Sequence, residues 1–180
     1  MGEDHFERDF ECPCKNGTMT ASWSEHDTWP SPNRSLAWTF ECSDCEKAYR
    51  FYDDSIIRRE DAEQLETLRV NADKAKQAVR EAAAQHQARW VDYILRLPTK
   101  VAQNRALRDG SYGTFLKNAS RPGYVQRQAE VHFWSSPKDC LDALGIKDDA
   151  VDKLHAEAKA ADKAHWGFRS AMKKIGLPFR

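Results

Sequence analysis

Four of the five cysteines stand in two close pairs: Cys12-Pro13-Cys14 and, after 27 intervening residues, Cys42-Ser43-Asp44-Cys45. A close pair folds into a tight turn that aims both sulfurs at one point. Two such turns brought together supply four thiolates, the donor set of a closed tetrahedral metal site. The constraint is strong, because the residues between the pairs must carry the second back to the first. Lys15-Asn16-Gly17 completes the first turn, and Gly17 is expected to take the positive φ that such a knuckle uses.

The intervening residues have the pattern to do this. Residues 18–24 alternate, with Met19, Ala21 and Trp23 on one face, and residues 36–42 follow with Trp38 and Phe40 on one face. Between them, Trp29-Pro30-Ser31-Pro32-Asn33 reads as an irregular tip. Residues 48–52 read as a further strand, and residues 6–11 are a candidate for another.

With Cys12, Cys14, Cys42 and Cys45 flanked by these strands, residues 1–54 resemble the zinc-ribbon superfamily, in which two knuckles at the ends of β-hairpins share one zinc. The resemblance covers under a third of the chain. It implies one structural Zn2+ held by those four cysteines, in a superfamily whose members bind nucleic acid, bind proteins or brace a neighbouring domain. The first pair is one residue shorter than the common C-x-x-C, so His5 and His26 stay open as alternative ligands. A catalytic zinc keeps a coordination position open, whereas four thiolates close the shell. A structural role is therefore expected.

Residues 55–180 read as a mostly helical body, which makes the chain α+β. Residues 61–97 contain neither Pro nor Gly and are rich in strong helix formers, and Pro98 supplies the stop. A heptad-like seam runs through Leu65, Leu68, Ala72, Ala75, Val79, Ala82 and His86. It then shifts face through Trp90, Ile94 and Leu97, as a stutter makes it do. Residues 149–174 form a second long helix, capped by Asp148 or Asp149, with a seam through Val151, Leu154, Ala158, Ala161, His165, Phe168, Met172 and Ile175. An antiparallel pair is expected. Alanine-rich seams bury little area, so a homodimeric coiled-coil seam is the alternative. Trp90, Tyr93, Trp166 and Phe168 need cover, which residues 98–147 are placed to give.

Net charge is zero, but unevenly spread. Residues 1–60 hold 7 Lys and Arg against 13 Asp and Glu, whereas residues 98–138 hold 7 against 2. The middle segment, 98–147, divides into short pieces. Thr99 can cap a helix through residue 108, Ser111 another from 112 to 118, residues 124–134 can be helix or strand, and Ser136-Pro137 opens a last one. Lys100, Arg105, Arg108, Lys117, Arg121 and Arg127 are interleaved with Tyr112, Phe115 and Tyr124. Cations of this kind neutralise phosphates, and aromatic rings stack on exposed bases. The plainer expectation makes Phe115, Leu116, Val131, Phe133 and Trp134 core residues of a cap over the helix pair.

The sequence carries no P-loop, G-x-G-x-x-G, H-E-x-x-H or G-x-S-x-G. Cys140 and His132 are a thiol and an imidazole close in sequence, but a buried apolar role suits Cys140 better. The expectation is a non-enzymatic, cytoplasmic protein that contacts nucleic acid or a nucleoprotein through the basic middle segment, with no membrane segment. The alternative is a protein-only interaction module, an inhibitor or assembly subunit. It would work through the acidic ribbon and its Trp23, Trp29 and Trp38.

Overall fold

The computed structural model describes residues 3–26, 33–52, 55–107, 112–172 and 174. The chain divides into two compact units, one of residues 1–69 with 165–180 and one of residues 70–164. Trp29 and Arg108 lie outside the described residues, as do the side chains of His26 and Tyr112.

In the first unit, β1 (Glu3–Glu11), β2 (Thr18–His26) and β3 (Asn33–Phe40) form an antiparallel meander in the order β1-β2-β3. Its register places Phe6 opposite Trp23 and Trp23 opposite Leu36; Arg8, Ala21 and Trp38 form the next row, and Phe10, Met19 and Phe40 the third. Residues directly opposed share a face, so one face collects the aromatic rings. Phe6 stacks on Trp23 at 5.4 Å, and Phe10 meets Trp38 at 5.3 Å. The small side chain of buried Ala21, on the strand between them, leaves room for that meeting. The other face is acidic and hydroxylated: Glu7, Asp9 and Glu11 lie opposite Ser22, Thr20 and Thr18. There the Thr20 hydroxyl donates to Asp9 Oδ1 at 2.7 Å.

A short helix α1 (Ser43–Ala48) follows, then the two-stranded pair β4 (Tyr49–Tyr52) and β5 (Ser55–Arg58). Strand β5 had no alternation to announce it, because Ile56 and Ile57 are neighbours and both are buried. The helix α2 (Arg59–Ala83) starts at the next residue.

The second unit is helical. The expected helix over 61–97 is broken once, by a 3-10 turn at Ala84–His86 before α3 (Gln87–Arg96). That turn sits where the seam changes face. Leu65, Ala72 and Val79 are buried before it, and Trp90 and Ile94 after it. Next come α4 (Lys100–Leu107), α5 (Tyr112–Asn118), α6 (Tyr124–Ser135), α7 (Pro137–Ala143) and α8 (Asp149–Ala171). Thr99 caps α4 as expected, its Oγ1 accepting from the Ala102 N–H at 3.1 Å. Pro137 takes the first position of α7. No helix among the described residues is long and apolar enough to cross a membrane.

Within this unit α2 and α8 pair inside one chain, and the pairing is antiparallel. Lys76 meets Asp162 at 2.6 Å, and His86, past the end of α2, meets Asp148 at the start of α8 at 3.1 Å. The core gathers Val79, Trp90, Ile94, Leu107, Phe115, Phe133, Leu141 and Val151. Helix α6 packs on α3, with the His132 ring stacked 5.5 Å from Trp90.

Val131 corrects an expectation: it is 60% exposed. Segment 124–135 is a helix, so Ala129 and Phe133, four residues apart, face the core. Val131 lies two residues off, on the opposite side. Leu116 and Trp134 are only half-buried, and Tyr93 stays 37% exposed. Trp166 is also uncovered at 50% exposure, with the Arg169 guanidinium 4.9 Å from its ring.

Asp148, rather than Asp149, is the cap of α8. Its Oδ1 accepts from the backbone N–H groups of Ala150 at 3.1 Å and Val151 at 3.2 Å, while Oδ2 faces His86. The His86 hydrogen bond, first, and then the Val151 N–H hold this carboxyl below its ordinary value of 3.8. A carboxyl depressed in the folded state stabilises above its unfolded value, and that contribution is lost as pH falls through the folded one. Asn keeps a capping oxygen but loses the charge, and Ala loses both. Thermal unfolding at neutral pH should therefore rank wild type above Asp148→Asn above Asp148→Ala. The gap between wild type and Asp148→Asn should close below about pH 4. Equal midpoints for all three chains would show that neither interaction matters.

Candidate metal centre

The meander sets both cysteine pairs at one end of the sheet. Residues 12–17 turn β1 into β2, and the register that pairs Met19 with Phe40 ends β3 at the same edge. The Glu41 N–H donates to the Thr18 carbonyl at 3.2 Å, which stitches the two turns together. In the first turn, the Lys15 N–H donates to the Cys12 carbonyl at 2.7 Å and the Cys12 N–H to the Gly17 carbonyl at 2.9 Å. The residue with positive φ is Lys15, at 61°, and not Gly17 as expected. Closing the turn at residue 15 puts the left-handed conformation there, two residues before the glycine. The second pair uses a helix start: Cys42 is the extended N-cap of α1, its carbonyl accepting from Glu46 at 3.0 Å, and Cys45 lies within the first turn.

These constraints bring the four sulfurs of Cys12, Cys14, Cys42 and Cys45 within 4.8 Å of one another. The Cys14 and Cys42 sulfurs are 3.7 Å apart. A tetrahedron with zinc–sulfur bonds of about 2.3 Å has edges of roughly 3.8 Å, so the cluster fits a metal of that size. A disulfide would need about 2 Å, and all five cysteines are free. His5 does not join the group; it is exposed, and the four cysteines suffice. The arrangement is consistent with a zinc ribbon.

The four thiols are not equivalent. Cys12 and Cys45 are buried, Cys42 is half-buried and Cys14 is exposed. Burial, followed by the crowding of Cys12 and Cys14, pushes the Cys45 thiol up to about 12. The Asn16 backbone N–H, followed by the Cys45 side chain, draws the Cys14 thiol below its ordinary value of 9.0. Cys14 thus gives up its proton more readily than Cys45.

The basic residues fall on several elements. Lys100 and Arg105 are on α4, Lys117 on α5, Arg121 in the link to α6 and Arg127 on α6, and all five are exposed. The interleaved aromatics behave differently. Phe115 is 1% exposed and packs edge-on against half-buried Tyr124 at 6.0 Å, so it cannot stack on a base. Cys140 and His132 do meet, Sγ to Nδ1 at 3.4 Å, but the Cys140 side chain lies wholly inside the core.

The fold and site together define a small β unit with four cysteines clustered at metal-binding distance, and a helical unit. No known protein family, curated protein or solved structure matches this chain.

Proposed function

We propose that the protein is a non-enzymatic binding protein whose β unit is braced by one structural Zn2+ and whose basic helices contact nucleic acid or a nucleoprotein. The observation that carries the second half is the state of the cations. Arg58, Arg69, Lys76, Arg96 and Lys138 each pair with a carboxylate. Lys100, Arg105, Lys117, Arg121 and Arg127 are exposed and have no carboxylate partner among the described residues. Such cations are free to displace counterions from a phosphate backbone. The four-thiolate set supports zinc and a closed, non-catalytic shell.

The test is a salt titration of zinc-loaded protein binding to single-stranded and duplex DNA and RNA. Affinity should fall steeply with salt. The triple variant Arg105→Ala, Arg121→Ala, Arg127→Ala should bind more weakly across sequences, its salt slope on duplex DNA reduced by about 3. An unchanged affinity and slope in that variant sinks the reading. Absence of binding at low salt instead favours a protein partner for the acidic face carrying Glu7, Asp9 and Glu11.

A further inference from the structure

The helical unit contains a cleft of about 360 Å³ walled by α2, the α6–α7 junction and α8. That size falls within the range of small-molecule sites, about 300–1,000 Å³. Buried Val79, Pro137 and Ala158 give it an apolar lining.

Its charges are unevenly matched. Two of the lining cations are neutralised within the protein: Lys76 by Asp162, and Lys138 by Asp142 and Asp152. Arg80 is held differently. Its Nε donates to the Trp134 carbonyl at 2.9 Å, which anchors the guanidinium and leaves its terminal N–H groups for a ligand. Neither Arg80 nor exposed Lys159 has a carboxylate partner among the described residues, and His155 beside them is exposed. The Ser136 side chain, which does not cap α7, adds a hydroxyl. Asp139, the remaining acid of the lining, is engaged in an interaction of its own.

We propose that this cleft binds a small organic oxyanion, a phosphomonoester or carboxylate carried on an apolar body. Arg80 and Lys159 hold the anionic group, and Val79, Pro137 and Ala158 face the body. A terminal guanidinium fork suits either headgroup. The site is independent of the basic residues of α4, α5 and α6.

The experiment is an amide NMR titration of the zinc-loaded chain with phenyl phosphate, benzoate, inorganic phosphate and benzyl alcohol. At least one aromatic anion should saturate below about 10 mM, with shifts centred on Val79 and Ala158. The tighter of the two identifies the headgroup. Inorganic phosphate should bind about tenfold more weakly for want of an apolar body. Arg80→Ala and Lys159→Ala should each weaken the aromatic anion about tenfold. Lys159 is exposed and has no partner to lose, so its variant keeps the test readable if Arg80→Ala fails to fold. The proposal is overturned if neither aromatic anion saturates or if benzyl alcohol binds as tightly. It is equally overturned if inorganic phosphate matches phenyl phosphate or if Lys159→Ala binds like wild type.

Discussion

Removing the metal with a strong chelator is expected to unfold the β unit. Beside Cys12 and Cys45, its buried apolar side chains among the described residues are Met19, Ala21, Ile56, Ile57, Ala62 and Leu65. Each of the larger ones contributes about 1.5–3 kcal/mol on burial, before the conformational entropy of the strands is subtracted. A four-thiolate zinc contributes about 10–16 kcal/mol in small zinc domains at neutral pH, so the metal decides the balance. The purified chain should carry one zinc, and its loss should abolish the near-ultraviolet dichroism of Trp23 and Trp38. Cys45→Ser should cost more than Cys14→Ser, because Cys45 is buried against its partners and Cys14 faces water. Acid should release the metal, since protons compete with it for every sulfur, and burial favours the protonated form of Cys45. Cobalt in place of zinc should show the absorption of a tetrahedral tetrathiolate. A metal-free chain with the same dichroism and the same unfolding midpoint would remove the brace from this account.

The second large effect is expected at Trp90. Its ring is 2% exposed, with the His132 ring at 5.5 Å and the Tyr93 ring at 5.6 Å. Trp90→Ala should cost about 3–5 kcal/mol, since the cavity it leaves opens where α6 packs on α3. Trp90→Phe separates volume from polarity. The indole Nε1 is buried with no hydrogen-bond partner among the described residues, so phenylalanine removes that donor while keeping most of the packing. Chemical denaturation should show the Phe variant losing less than half of what the Ala variant loses. Comparable losses would mean that the indole nitrogen, rather than the ring's bulk, matters to the core.

These two sites show how differently legible the chain was. The metal centre could be read at the level of residues, because thiolate chemistry ties four named positions to one point whatever the strands do. Trp90 was legible as a residue needing cover, but not its neighbours. His132 reaches it only because residues 124–135 are helical, and short apolar runs do not distinguish helix from strand. The same ambiguity hid the exposure of Val131. For Phe115 the sequence left two readings, a ring among the basic residues and a core residue, and its burial decides for the core.

From the sequence alone came the pairing of the four cysteines, the α+β fold class, the long helices and the break in their seam near His86. Each of these depends on local spacing or periodicity, which a chain carries in linear order. The tertiary structure decided what depends on approach across the chain. It chose intrachain pairing of α2 and α8 through Lys76–Asp162 and His86–Asp148. It moved the positive φ of the first knuckle from Gly17 to Lys15. It also assembled the Arg80 and Lys159 cleft from helices roughly eighty residues apart, a juxtaposition that no local pattern encodes, because side chains so distant in sequence meet only through packing.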